Sequence, residues 1–259
     1  MNVYIITYCA DPDYLNGTTL IFKTLRTGFP TAGIHVLDNC SAMGSREYIQ
    51  RCADNVQATY YELQQELNHW DIIEYLLNNV WEGTCVLLDP DVCFWQNCEQ
   101  WGFDALIAGR LIPRFIDGYT WCITEPRIHT SFWWVPDAGE LRKAIQNISE
   151  RYYDFHPFLP YMYRRGDKWI RFDTGASLYS ALIERMHPFT TCELDAYDHL
   201  FAGTNYKEVV DNLNEYEPVT GEEFYNIHKQ AMSDYRELRG LWKRQEEYFK
   251  SKNQAPIQV

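Results

Sequence analysis

Hydrophobic and polar positions in the first 110 or so residues follow two alternating rhythms. Continuous apolar runs at residues 3–8, 33–37 and 84–88 have the length and content of buried strands, and residues 58–61 predict another. Between the last two, Trp70, Ile73, Leu76, Leu77 and Val80 recur at helical spacing, with Asn68 placed as an N-cap. Residues 45–54 predict a helix, and residues 18–25 a short one stopped by Gly28 and Pro30. Strands alternating with helices predict an α/β fold, a mostly parallel central sheet flanked by helices and joined by right-handed crossovers. Ligands in such sheets sit at the carboxyl ends of the strands. Asp38 and Asp89 each follow a strand, so the pattern places them in one crevice.

Further along, the rhythm changes. Residues 105–108 and 130–135 read as strands, and residues 137–148 and 174–186 as helices. Residues 152–171 read as a long irregular stretch rich in aromatics, Pro and Arg. Residues 222–250 predict a charged helix whose stripe of Phe224, Ile227, Ala231, Tyr235, Leu238 and Trp242 suits packing or a homodimer surface.

Composition narrows the classes. Aromatic residues make up 16% of the chain, enough to furnish both a core and a site that stacks on sugars or bases. A formal net charge of −13 argues against nucleic-acid binding by bulk electrostatics, though it leaves a local basic groove open. No apolar stretch is long enough to span a membrane. The first residues read directly as a strand without a basic leader, which predicts a cytoplasmic protein. The eight cysteines form no C-x-x-C pair, so buried, reduced thiols are expected.

The chemistry concentrates at Leu87-Leu88-Asp89-Pro90-Asp91. Carboxylates two positions apart on an extended segment face one side and repel unless a cation lies between them. Hard oxygen ligands on an open loop suit Mg²⁺ or Mn²⁺. The same residues also suit an ordinary turn.

Three separated segments together resemble the GT-A fold of nucleotide-sugar-dependent glycosyltransferases, in particular the large inverting D-x-D family. Val36-Leu37-Asp38-Asn39-Cys40-Ser41 is similar to its V-D-N-x-S segment, which implies contact of Asp38 with the nucleotide. Leu87-Leu88-Asp89-Pro90-Asp91 is similar to its L-D-x-D, which implies that Asp89 and Asp91 hold a divalent cation on the donor diphosphate. His199-Leu200-Phe201-Ala202-Gly203-Thr204 is similar to its H-x-x-G-G-T/S, which implies that His199 is a further metal or diphosphate ligand. Ala202 departs from the usual Gly, and no clear E-D pair marks the base. The match spans residues 1–205, read as a GT-A-like catalytic domain with a nucleotide-binding half (1–110) and an acceptor-side half (111–205). Residues 206–259 are then a helical region packed on it.

The resemblance implies Mn²⁺ or Mg²⁺ as cofactor, a nucleoside diphosphate sugar donor (a UDP-sugar favoured) and a glycan or saccharide acceptor. Thr7, Tyr8 and His69 join Asp38 and Asp89 as donor-binding candidates. Asp173 is the first candidate for the base that deprotonates the acceptor hydroxyl, then Glu125, then Asp117. For Asp173 the structural alternative is a helix cap. Arg164, Arg165, Lys168, Trp169 and Arg171 suit contacts to an acceptor or to the diphosphate. The same aromatic–basic mixture suits a hydroxylated base in phage DNA as alternative acceptor. Outside this class stand a nucleotidyltransferase, which would want a Gly-rich basic loop where Ala10-Asp11-Pro12-Asp13 lies, and a non-catalytic nucleotide-sugar binder.

Overall fold

The computed structural model describes residues 1–12, 15–116, 122–152, 155–165 and 168–199. The helical region expected over 206–259, Asp117 and most of the His199–Thr204 segment lie outside them.

The chain opens with β1 (Asn2–Thr7), whose alternate residues enter two different cores. α1 (Leu15–Thr18), a 3₁₀ turn over Leu20–Lys23 and α2 (Leu25–Gly28) follow. The single helix expected over 18–25 is therefore broken. Its backbone and threonines bond elsewhere: Ile21 N–H donates to the Pro90 carbonyl at 3.0 Å, and Phe94 N–H donates to Thr24 Oγ1 at 2.9 Å. Next come β2 (Gly33–Asp38), α3 (Met43–Asn55), β3 (Thr59–Glu62), α4 (His69–Asn79) and β4 (Cys85–Leu88), close to the expected pattern. Asn68 is the N-cap residue of α4, but its amide donates to the Asp71 carboxylate instead of capping the backbone.

β5 (Val92–Phe94), β6 (Ile107–Ile112), β7 (Phe115–Ile116), β8 (Ile123–Thr124) and β9 (Arg127–Val135) lead into α5 (Ala138–Ser149), which Asp137 caps through Gly139 and Glu140 N–H. The stretch expected to be irregular holds a hairpin, β10 (Tyr161–Arg165) and β11 (Lys168–Phe172), paired antiparallel from Tyr161↔Phe172 to Arg165↔Lys168. α6 (Ala176–Leu182) is shorter than the helix expected over 174–186, because Met186 is taken into β12 (Met186–Pro188) opposite Ile107. α7 (Thr191–Leu194) starts in a reciprocal Thr190–Glu193 capping box, and β13 (Tyr197–His199) ends the described chain.

Seven strands form the central sheet in the order β12-β6-β9-β4-β1-β2-β3. Its pairings are parallel except at β9, which runs antiparallel to both neighbours. The α/β fold with a mostly parallel central sheet flanked by helices is thus as the hydrophobic pattern predicts. One core packs α3, Phe22, Leu25 and Phe29 against Val3, Ile5, Val36, Val86 and Leu88. The other packs α4, α5 and α6 against Tyr4, Ile6, Leu87, Trp133 and Val135. β1 lies between strands that lead the chain in opposite directions, so the crevice beyond its carboxyl end, with those of β2 and β4, is the topological switch point. The eight cysteines form no disulfide, and no helix among the described residues is long and apolar enough to cross a membrane.

Candidate active site

β4 is buried on both faces and leads directly into Asp89 at the switch-point crevice. Three backbone bonds fix the loop that follows. Asp89 N–H donates to the Ser131 carbonyl at 2.9 Å, the Pro90 carbonyl accepts from Ile21, and Val92 pairs with His199 in a two-stranded ribbon of β5 and β13. That ribbon places His199 over the carboxylates. Its Nε2 lies 3.2 Å from Asp91 Oδ1 and 4.0 Å from Asp89 Oδ2, so both acids converge on one imidazole as their spacing predicts. His69, the first residue of α4, approaches the other oxygen of Asp89 at 3.9 Å.

Sequence reasoning missed His129. It joins Asp89 and His199 in a cluster whose ligand atoms lie within 4.8 Å of one another. Its placement comes from a bulge. β6 and β9 pair at Gly109↔Trp133 and again at Leu111↔Ile128, so β6 advances two residues while β9 advances five. The extra residues, His129 among them, leave the pleat and turn towards the metal loop, as bulges beside active sites do. Gly109 permits the crossing, since a Cβ there would stand 2.5 Å from the Phe132 carbonyl oxygen. Within the bulge, Ser131 N–H donates to His129 Nδ1 at 3.1 Å. The neutral ring therefore carries its proton on Nε2 and is a donor.

Electrostatics agree with this arrangement. Burial pushes the Asp89 carboxyl up from its ordinary range, His69 and His199 oppose that, and the nearby Asp91 adds to it. Burial, with His199, Arg127, Arg110 and His69 around it, holds His129 well below the usual histidine value, so the ring stays neutral. Two crowded carboxylates with an imidazole over them are a donor set that could hold a divalent cation. Asp89, Asp91 and His199 could hold such a cation, and a mixed oxygen–nitrogen set suits Mn²⁺ better than Mg²⁺.

The other candidates divide. Tyr8, just past the carboxyl end of β1, is 39% exposed. Thr7 is fully buried, its hydroxyl donating to the Leu37 carbonyl at 3.4 Å. Asp38 is also fully buried, and both its oxygens are engaged: Ser41 N–H donates to one at 2.7 Å and Tyr60 O–H to the other at 2.6 Å. Burial first, then this bond, push the Tyr60 phenol up. The Asp38 carboxylate thus holds the Asp38–Ser41 loop in shape, including Cys40 at φ 64°.

Asp173 begins the β11–α6 connection. Arg127 Nη2 pairs with it at 2.9 Å, Arg171 lies at 3.9 Å, and Thr174 N–H donates to its carboxylate at 2.9 Å. It is not the helix cap considered as its alternative role, because that position belongs to Gly175 at φ 80°. Glu125 takes two bonds from Arg114, at 3.2 and 2.5 Å. Alternation along the hairpin puts Arg164, Trp169 and Arg171 on one face and Lys168 on the other. Those four expected contact residues therefore fall on both faces of the hairpin.

No known family profile and no curated protein sequence matches the chain. Among solved structures it is similar to the glycosyltransferase GlyE of Streptococcus pneumoniae TIGR4, with 10% identity over 73% of this chain and a TM-score of 0.41, spanning 46% of that protein. It is similar to the mannosyltransferase PcManGT of Pyrobaculum calidifontis in complex with GDP-Man and Mn²⁺, with 9% identity over 99% of this chain and 76% of that one and a TM-score of 0.44. A nucleoside-diphosphate-sugar pyrophosphorylase of Vibrio cholerae RC9 is similar at 12% identity, 83% and 100% coverage and a TM-score of 0.46.

Proposed function

We propose that the chain is a metal-dependent glycosyltransferase that moves a sugar from a nucleoside diphosphate donor to an acceptor hydroxyl. The observation that carries the reading is the convergence of Asp89, Asp91 and His199 at the switch-point edge of the sheet. Bound there, Mn²⁺ would neutralise charge developing on the departing diphosphate. The chain's own residues do the rest. The Asp38–Ser41 loop and the Tyr8 ring form the nucleotide end of the crevice. His129, kept neutral, offers an N–H donor beside the carboxylates without adding a positive charge that would repel the cation. His69 stands on the open side of Asp89, within reach of a bound phosphate.

Asp173 is the base in this reading. Arg127 fixes its carboxylate, and Thr174 N–H fixes its rotamer, so a lone pair is held ready for the acceptor proton. The favoured donor is a UDP-sugar and the acceptor a saccharide. Residues 1–205 form the catalytic unit.

The test is a panel of UDP-, GDP- and CDP-sugars, with nucleotide release followed with Mn²⁺ and with chelator. Metal-dependent release from one donor supports the proposal. Metal-dependent pyrophosphate release from a nucleoside triphosphate and a sugar phosphate, with no release from any nucleotide sugar, would make the chain a nucleotidyltransferase instead.

A further inference from the structure

A cavity of about 630 Å³ lies between the hairpin, α6 and the segment before β10, lined among others by Phe155, His156, Tyr161, Phe172, Ser177 and Ser180. Its volume falls within the roughly 300–1,000 Å³ of small-ligand pockets. Tyr161 and Phe172 face each other across the β10–β11 ladder, and their rings stack with centroids 4.8 Å apart and planes 4° from parallel. They form one apolar stack on the cavity wall, and Tyr161 is 42% exposed, so ring surface remains free beyond the stack. Ser177 and Ser180, one helical turn apart on α6, supply hydroxyls opposite. The Ser177 side chain is only 8% exposed, and its Oγ has no hydrogen-bond partner. A buried hydroxyl left unsatisfied on a pocket wall marks a place where a ligand completes the bonding.

We infer that this cavity is a saccharide-binding subsite that holds the acceptor, with a pyranose face on the Tyr161–Phe172 wall and a sugar hydroxyl bonded to Ser177. Three features select a neutral sugar. The wall is aromatic and matches the C–H face of a pyranose. The polar groups are hydroxyls and an imidazole, which bond sugar hydroxyls. Among the described residues no Lys or Arg lines the cavity, so these residues offer nothing to a phosphate backbone, and a nucleic-acid acceptor is disfavoured. The cavity wall is linked to the candidate base through the chain. Phe172 immediately precedes Asp173, and α6 packs on β9, which carries the Arg127 that pairs with Asp173. The acceptor role rests on the transferase reading; saccharide binding does not.

The full chain is tested by saturation-transfer NMR against lactose, maltose, chitobiose and, as the competing class, thymidine. Binding of at least one disaccharide is expected. Tyr161→Ala should weaken it about tenfold or more, Tyr161→Phe should keep it, and Ser177→Ala should weaken it about three- to tenfold. Circular dichroism checks that each variant is folded. Absence of disaccharide binding, binding by Tyr161→Ala and Ser177→Ala as tight as that of the wild type, or binding of thymidine alone would each overturn the inference. Mn²⁺ and UDP titrations of the wild type report the transferase reading separately. If they fail while disaccharide binding persists, the subsite stands without the reaction; the reverse outcome leaves the reaction and removes the subsite.

Discussion

At the residue scale, carboxylates that look alike in the sequence do different work. Asp91→Asn keeps the volume and removes a charged ligand, so Mn²⁺ binding measured by calorimetry should be lost with the fold intact. His129→Ala should only weaken Mn²⁺ binding, since its Nδ1 is committed to Ser131 N–H. Equal losses in the two variants would make His129 a ligand. Asp38 works on the protein. Tyr60→Phe strips one of the two donors from its buried carboxylate and should lower stability by about 1–3 kcal/mol, read from chemical denaturation. Asp173 calls for a double mutant. As base, Asp173→Asn should slow transfer about 10²- to 10⁴-fold; as a mere counterion for Arg127, it should chiefly lower the melting temperature by leaving a largely buried guanidinium unpaired. Adding Arg127→Gln should restore melting in either case but recover turnover only in the second. Of these roles, the sequence shows the Asp89–Asp91 pair because both lie in one short window. It does not show that Asp38 is spent on Tyr60, because that partner lies a strand away and nothing local announces it.

At the element scale, the legible parts are those whose local pattern and tertiary setting agree. β1, β2, β4, α3 and α4 each have a continuous or 3.6-spaced apolar set, and each lies near its expected place. The failures share a physical cause, long-range bonding that overrides local preference. Residues 18–25 form broken turns because Pro90 and Phe94 claim their polar groups. β9 begins at Arg127, earlier than its apolar run, and bulges at His129, so period two is lost where it would have pointed to the site. The hairpin was hidden by its Arg content, although Gly166-Asp167 between two aromatic runs is a turn signature in the sequence. The bulge makes a sharp prediction. Gly109→Ala forces a Cβ against the Phe132 carbonyl oxygen and Ile128, and relief requires β6 and β9 to separate. The expected cost is about 1–3 kcal/mol by denaturation. Mn²⁺ affinity should fall too, because the bulge carries both His129 and the Ser131 carbonyl that anchors Asp89. Lost stability with unchanged affinity would separate the bulge from the site.

At the scale of the whole molecule, the site sits where the sheet brings negative charge together in a chain that is already acidic, so protons and metal compete there. The two shifted groups pull stability in opposite directions. Asp89 is raised, so the folded chain holds its proton at a pH where the unfolded chain has released it. Its contribution to metal-free stability therefore grows as pH falls through the raised value and is lost as pH rises. His129 is depressed, so the unfolded chain takes up a proton first, and its contribution is present at neutral pH and lost on acidification through the ordinary histidine range, near about 6.5. Metal-free melting temperatures mix these terms. The increment that Mn²⁺ adds does not, because the cation must displace the Asp89 proton. That increment should be large and flat at neutral pH and should start to shrink on acidification while an ordinary carboxylate would still be fully ionised. Asp89→Asn should remove both the increment and its pH dependence. An Mn²⁺ increment that stays constant as pH falls from about 7 to about 4.5, through the histidine range and down to just above that of an ordinary carboxylate, would mean that the cation binds away from Asp89, and the proposed reaction centre would have to move with it.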